Sequence, residues 1–192
     1  GVSEPVQSFG SLPNVPRELE EIQQLFGGHV LLDGAFSARS LDAAVAEDRP
    51  TLLHVASHVM FTGDPKESFV LTHDSKLDLD QFARIIQRTR YREDPLELLV
   101  LSACRTAVDD PEAGLGLAGI AIRSGARSVV GSLWDLSDEA SYELVVEFYR
   151  QLRAPARSRA QALRRAQLTL LDDPQFSHPF YWSAFVLVNT WL

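Results

Sequence analysis

Four short runs, TLLHVAS (51–57), LELLVLS (96–102), ARSVVGSLW (126–134) and WSAFVLVN (182–189), are bounded by turn-forming residues and are apolar on both alternating faces. A strand with one wet face alternates, whereas a strand apolar on both faces needs a covering layer on each side. Between these runs the apolar spacing becomes helical. Leu19, Ile22 and Phe26 recur behind Pro16; Leu79, Phe82, Ala83 and Ile86 form a second stripe; Leu144, Val145, Phe148, Tyr149 and Leu152 form another. Helices are predicted over 16–26, 38–47, 79–86, 115–124 and 137–152. A further one opens at Ser158, whose hydroxyl and Gln161 make a capping box. Strands alternating with helices predict βαβ units, and hence an α/β fold of three α/β/α layers around a mostly parallel central sheet. HVLL (29–32) reads as a short strand, and the pattern around His73-Asp74-Ser75-Lys76 predicts a small hairpin inserted after the second main strand.

Composition narrows the class. At 192 residues and 45% hydrophobic, the chain reads as one globular domain over 16–192, preceded by an entry segment or linker over 1–15, where Pro, Gly and Ser occur without apolar periodicity. The single cysteine, Cys104, excludes an internal disulfide and a multi-cysteine zinc site. It is core filler or chemistry. The sequence has neither a run of 18 apolar residues nor a signal-peptide start, which predicts a soluble, cytoplasmic domain without membrane contact. A net charge of −8 argues against a nucleic-acid surface, and the basic stretch RSRAQALRR (157–165) reads as a solvated helix face.

In open α/β sheets, functional groups gather beyond the carboxyl ends of the strands. His58 follows TLLHVAS and Cys104 follows LELLVLS. If the two strands are neighbours, imidazole and thiol meet as a base and nucleophile able to attack a carbonyl. The competing reading of Cys104 is a small buried hydrophobe. His54 shares its face with Leu52 and Ala56 and reads as a hydrogen-bonded core histidine; His29, His73 and His178 lack ligand spacing and read as structural or exposed. Gly114, Gly116 and Gly119 form a literal G-x-G-x-x-G. They lie a dozen residues past the nearest strand rather than in its turn, so they are read as letting a helix pack close to the sheet. No cofactor or metal is expected.

HVASHVMF (54–61), LELLVLSACRTA (96–107), GLAGIAIRSGARSVVGSLWDLSDEAS (116–141), EFYRQL (147–152), ALRRAQL (162–168) and HPFYWSAFVLVNTW (178–191) together resemble the CHAT peptidase family, relatives of separase and the caspases often fused to tetratricopeptide repeats. The resemblance implies a caspase-like fold and a cysteine endopeptidase, with His58 as general base and Cys104 as nucleophile. Backbone N–H groups of Val59 and Cys104 would then receive the oxyanion. Trp134, Asp135 and Asp138 match a string that lines the pocket for the residue before the scissile bond, and acids there suit a basic side chain. The same two aspartates also suit the start of the 137–152 helix.

Two departures accompany the resemblance. Valine at 59 stands where the family usually has glycine, resisting positive φ and adding bulk beside the oxyanion site. The family also carries more sequence ahead of the first helix, which leaves open an excerpt of a longer chain or a processed subunit. The implied partners are a protein or peptide substrate and a regulatory module such as tetratricopeptide repeats; segment 105–114 reads as the loop that such a module orders. The competing reading is a catalytically weak adaptor of the same fold that binds a partner without cutting it. A nucleotide-binding domain built on the glycine segment is a third.

Overall fold

The computed structural model describes residues 1–60, 67–91, 93–102 and 116–190. The central sheet has the order β1-β5-β6-β7, formed by β1 (Leu52–Ala56), β5 (Leu98–Ser102), β6 (Ser128–Ser132) and β7 (Phe185–Asn189). The first three are mutually parallel, and β7 returns antiparallel to β6. All of β5 is buried. Its alternate residues serve two cores, as the doubly apolar runs require: Leu98 and Val100 on one face, Leu99 and Leu101 on the other.

On the first face lie α1 (Val15–Phe26), α5 (Asp138–Leu152) and α6 (Arg159–Asp172), contributing Ile22, Leu144, Val145, Phe148, Tyr149, Leu163 and Ala166 to the core. On the second lie α2 (Ala38–Asp48), α3 (Leu79–Gln87) and α4 (Gly116–Ser124), contributing Leu41, Val45, Phe82, Ile85, Ile86 and Ala121. Helix ends are set locally. Ser37 with Ser40, Asp78 with Gln81 and Ser158 with Gln161 form reciprocal capping boxes, the last as its sequence predicts. The inserted hairpin, β3 (Phe69–Leu71) and β4 (Lys76–Asp78), is joined by β2 (Val59–Met60) into a separate three-stranded antiparallel sheet. The result is the three-layer α/β/α, caspase-like arrangement.

Three local expectations differ. Residues 29–32 form no strand; the Leu31 carbonyl accepts from the Gly1 nitrogen, and Asp33 N–H donates to the Gly1 carbonyl. The run beginning at Trp182 reaches extended geometry only at Phe185, because Pro179–Trp182 makes a single helical turn, α7, capped by the His178 ring. Among the described residues a Cβ on Gly119 would meet only the Arg123 guanidinium, at an ordinary 3.6 Å, so Gly119 is not held to glycine by them; Gly114 lies outside the described residues. Residues 1–15 contribute Val2 and Val6 to the second core and Val15 to a third, smaller cluster with Leu19 and Ala56.

His54 is a core histidine with partners from both helices above it. Tyr149 Oη stands 3.2 Å from His54 Nδ1, and Glu18 Oε1 lies 2.9 Å from His54 Nε2, close but not aligned as a hydrogen bond. Burial, reinforced by Glu18, pushes the Tyr149 hydroxyl well above its usual pKa, so it stays a neutral donor. Tyr149→Phe leaves Nδ1 unsatisfied in the core. It is expected to lower stability by about 1–2 kcal/mol, read as a drop in the urea midpoint; an unchanged midpoint would show that the contact contributes nothing.

Candidate active site

The parallel register of β1 on β5 ends at the pair Ala56↔Ser102, with Ser57 N–H reaching on to the Ser102 carbonyl at 3.3 Å. At that point the chain leaves the main sheet. The buried Ser57 hydroxyl donates to the Leu71 carbonyl (2.6 Å) and Leu71 N–H donates to the His58 carbonyl (2.8 Å), so His58 sits at the corner between the two sheets. In sequence, Cys104 stands two residues beyond Ser102, as His58 stands two beyond Ala56. Cys104 and the 105–114 segment lie outside the described residues.

The His58 ring packs against Phe9 (centroids 5.1 Å apart), and Phe9 meets Phe69 edge-on. His58 Nε2 lies 2.9 Å from the Gly10 carbonyl oxygen. A carbonyl only accepts, so Nε2 carries the proton, and in the neutral ring Nδ1 is then a bare acceptor. That is the tautomer a base acting through Nδ1 needs.

Val59 belongs to β2, paired with Val70 of β3. Because antiparallel pairs alternate and the neighbouring 58–71 pair is hydrogen-bonded, Val59 N–H points away from β3. Its side chain is 1% exposed and packs in the second core, and its φ is not positive. The Val59 isopropyl group is in the core.

A family model for the CHAT domain matches residues 2–190. The chain belongs to the CHAT domain family. A comparison with curated proteins returned no match.

In this CHAT domain the residues beyond β6 divide by environment. Trp134 stacks on Phe180 (6.2 Å, 28°) and donates its indole N–H to the Phe180 carbonyl (3.0 Å), tying it to α7. Asp135 is exposed. Asp138, the first residue of α5, is half-buried, and its Oδ2 accepts both the backbone N–H (2.7 Å) and the side-chain amide (2.9 Å) of Asn14. Burial raises its pKa above the ordinary aspartate value, Glu18 adds to this, and the Asn14 bonds and His58 work against it.

Gly10, Phe9 and Asn14 escaped the sequence reading. A backbone carbonyl carries no residue-type signal, and Asn14 looks like an ordinary helix cap. Its side chain makes no cap bond. His29 faces Asp48 at the surface, and His73 lies 3.6 Å from Glu4. Among the described residues of the CHAT domain there is no cluster of three His, Cys, Asp or Glu suited to a metal ion, and no helix is long and apolar enough to cross a membrane.

Proposed function

We propose that the domain is a cysteine endopeptidase that cuts a protein partner after a basic residue, with Cys104 as nucleophile and His58 as base. The observation that carries this is the Ala56↔Ser102 register pair, which ends two adjacent parallel strands, since base and nucleophile candidates each follow it by two residues in sequence. Family membership supports the same reading.

His58 Nδ1 takes the proton of Cys104 Sγ, and the thiolate attacks the peptide carbonyl carbon. The negative oxygen is received by the N–H groups of Val59 and Cys104; the outward aim of Val59 N–H favours this. When the C–N bond breaks, imidazolium returns its proton to the leaving amine, and water then hydrolyses the thioester with His58 again as base. The Gly10 carbonyl holds the Nε2 proton throughout, so that Nδ1 is the atom that cycles. Asp135, exposed beyond β6, supplies the charge for a Lys or Arg side chain.

The chain holds one thiol, so alkylation by iodoacetamide reports on Cys104 alone. It is expected to react faster at neutral pH than free cysteine, and His58→Ala is expected to slow it about tenfold or more, toward the behaviour of an unassisted thiol of pKa about 8.5. Equal rates in both proteins would remove His58 from the mechanism.

A further inference from the structure

We propose, resting on the reading of His58 as the base of Cys104, that Asp138 is a positioning residue: it clasps Asn14 and so holds the Gly10 carbonyl against the His58 ring.

The carbonyl that sets the His58 tautomer belongs to a segment with little of its own to fix it. Gly10 is exposed, its φ is not positive, and a Cβ added there would meet nothing within 4 Å. What fixes it lies at the two ends. On one side Phe9 N–H donates to the Val6 carbonyl and the Phe9 ring lies on His58. On the other, Leu12 N–H donates to the Ser3 carbonyl, and beyond it Asn14 is held by two donations to one Asp138 oxygen. Gly10 and Asn14 are four residues apart, a reach of at most about 14 Å. The short connection limits how far the carbonyl can lie from Asn14.

The ordinary reading of Asp138 is a first-turn acid favouring the α5 dipole. That helix already has its N-terminus served: the Ser137 hydroxyl accepts Ala140 N–H at 3.2 Å, and Glu139, exposed, supplies first-turn charge. Neither need calls for a carboxylate set halfway into the protein at the cost that its raised pKa records. Asn14 also forgoes its cap role. It occupies the N-cap position of α1, where its side-chain oxygen makes no cap bond, while its amide N–H donates to Asp138. One helix start, that of α1, goes without its side-chain cap bond while Asn14 joins α1 to α5, and the segment leading from that joint carries the contact to His58.

Ring ¹⁵N NMR of His58 tests this with a signal that a purely structural role would not move. In the wild-type protein the ring should be a single Nε2–H tautomer. Asp138→Ala removes the clasp and should give averaged tautomers and alkylation of Cys104 slowed about tenfold, the loss of one well-placed hydrogen bond. Asp138→Asn keeps an oxygen for Asn14 to donate to, so it should restore both readouts to near wild type although the charge is gone. Glu139→Gln controls for the helix dipole and should change neither. If Asp138→Ala leaves the His58 signals as they are, or if Asp138→Asn behaves like Asp138→Ala, the positioning role is wrong, the second outcome pointing to charge alone. The peptidase reading fails separately: NMR signals that respond as described, with Cys104 alkylation indifferent to His58→Ala, would refute it while leaving the clasp in place.

Discussion

Cys104→Ala is expected to abolish peptide cleavage, by a factor of about 10⁴ or more. The scale is that of removing a covalent nucleophile whose base and oxyanion donors remain. The substitution takes away one sulfur, the only thiol in the chain, and none of the groups that hold His58: the Gly10 carbonyl, the Phe9 ring and the Leu71 pairing are all contributed elsewhere. A loss therefore reports chemistry rather than folding, provided the alanine protein keeps the urea midpoint of the wild type. The measurement is cleavage of a peptide library carrying Lys or Arg at each position, read by mass spectrometry. Bonds cut after basic residues by the wild type and by Asp135→Asn alike would separate the nucleophile from the proposed specificity. Bonds cut equally by wild type and Cys104→Ala would end the peptidase reading. A partner bound equally by both proteins and cut by neither would favour the adaptor that the same fold can make.

The strand framework of this candidate site was legible in the chain before any coordinates. The doubly apolar runs at 51–57 and 96–102 demanded a covered sheet, and sequential βαβ connection made their strands neighbours, as β1 and β5 are. That pairing, with residue types at the strand ends, accounts for His58 and Cys104 as candidates. His54, on the buried alternating face, could be assigned to the core on parity alone, and its Tyr149 partner agrees.

What was not legible has a common cause. The Gly10 carbonyl acts through the backbone, 48 residues from His58, and Gly10 itself lies in a stretch, 1–15, without apolar periodicity. The Asn14–Asp138 joint spans 124 residues and links two positions whose residue types each have a sufficient local explanation as helix starts. Local rules satisfied by the wrong partner leave no trace in a pattern. The β7 reversal is similar: its apolar run fits a parallel or an antiparallel neighbour, and the choice follows from α7 turning the chain just before Phe185.

Val59 makes the sharpest case for separating a backbone role from a side-chain role. The family resemblance places glycine directly after the histidine, so Val59→Gly looks like a repair. The structure predicts damage instead. The isopropyl group is 1% exposed, in the core cluster that also holds Val70, Phe69 and Leu77, and the residue lies in a strand at ordinary φ. Deleting it gives up the burial of a valine side chain, about 1.5–3 kcal/mol, leaves a void that β2 and β3 close only in part, and adds about 0.5–1 kcal/mol for glycine's backbone freedom in a strand. A loss of about 3 kcal/mol is expected, read as a lower urea midpoint, with Val59→Ala falling between the two. The N–H that faces away from β3 survives both substitutions, so Cys104 alkylation per folded molecule should stay within about twofold of wild type. A glycine variant that is as stable as wild type and alkylates many times faster would mean that the valine obstructs the site after all, and that the core position of its side chain does not describe the working enzyme.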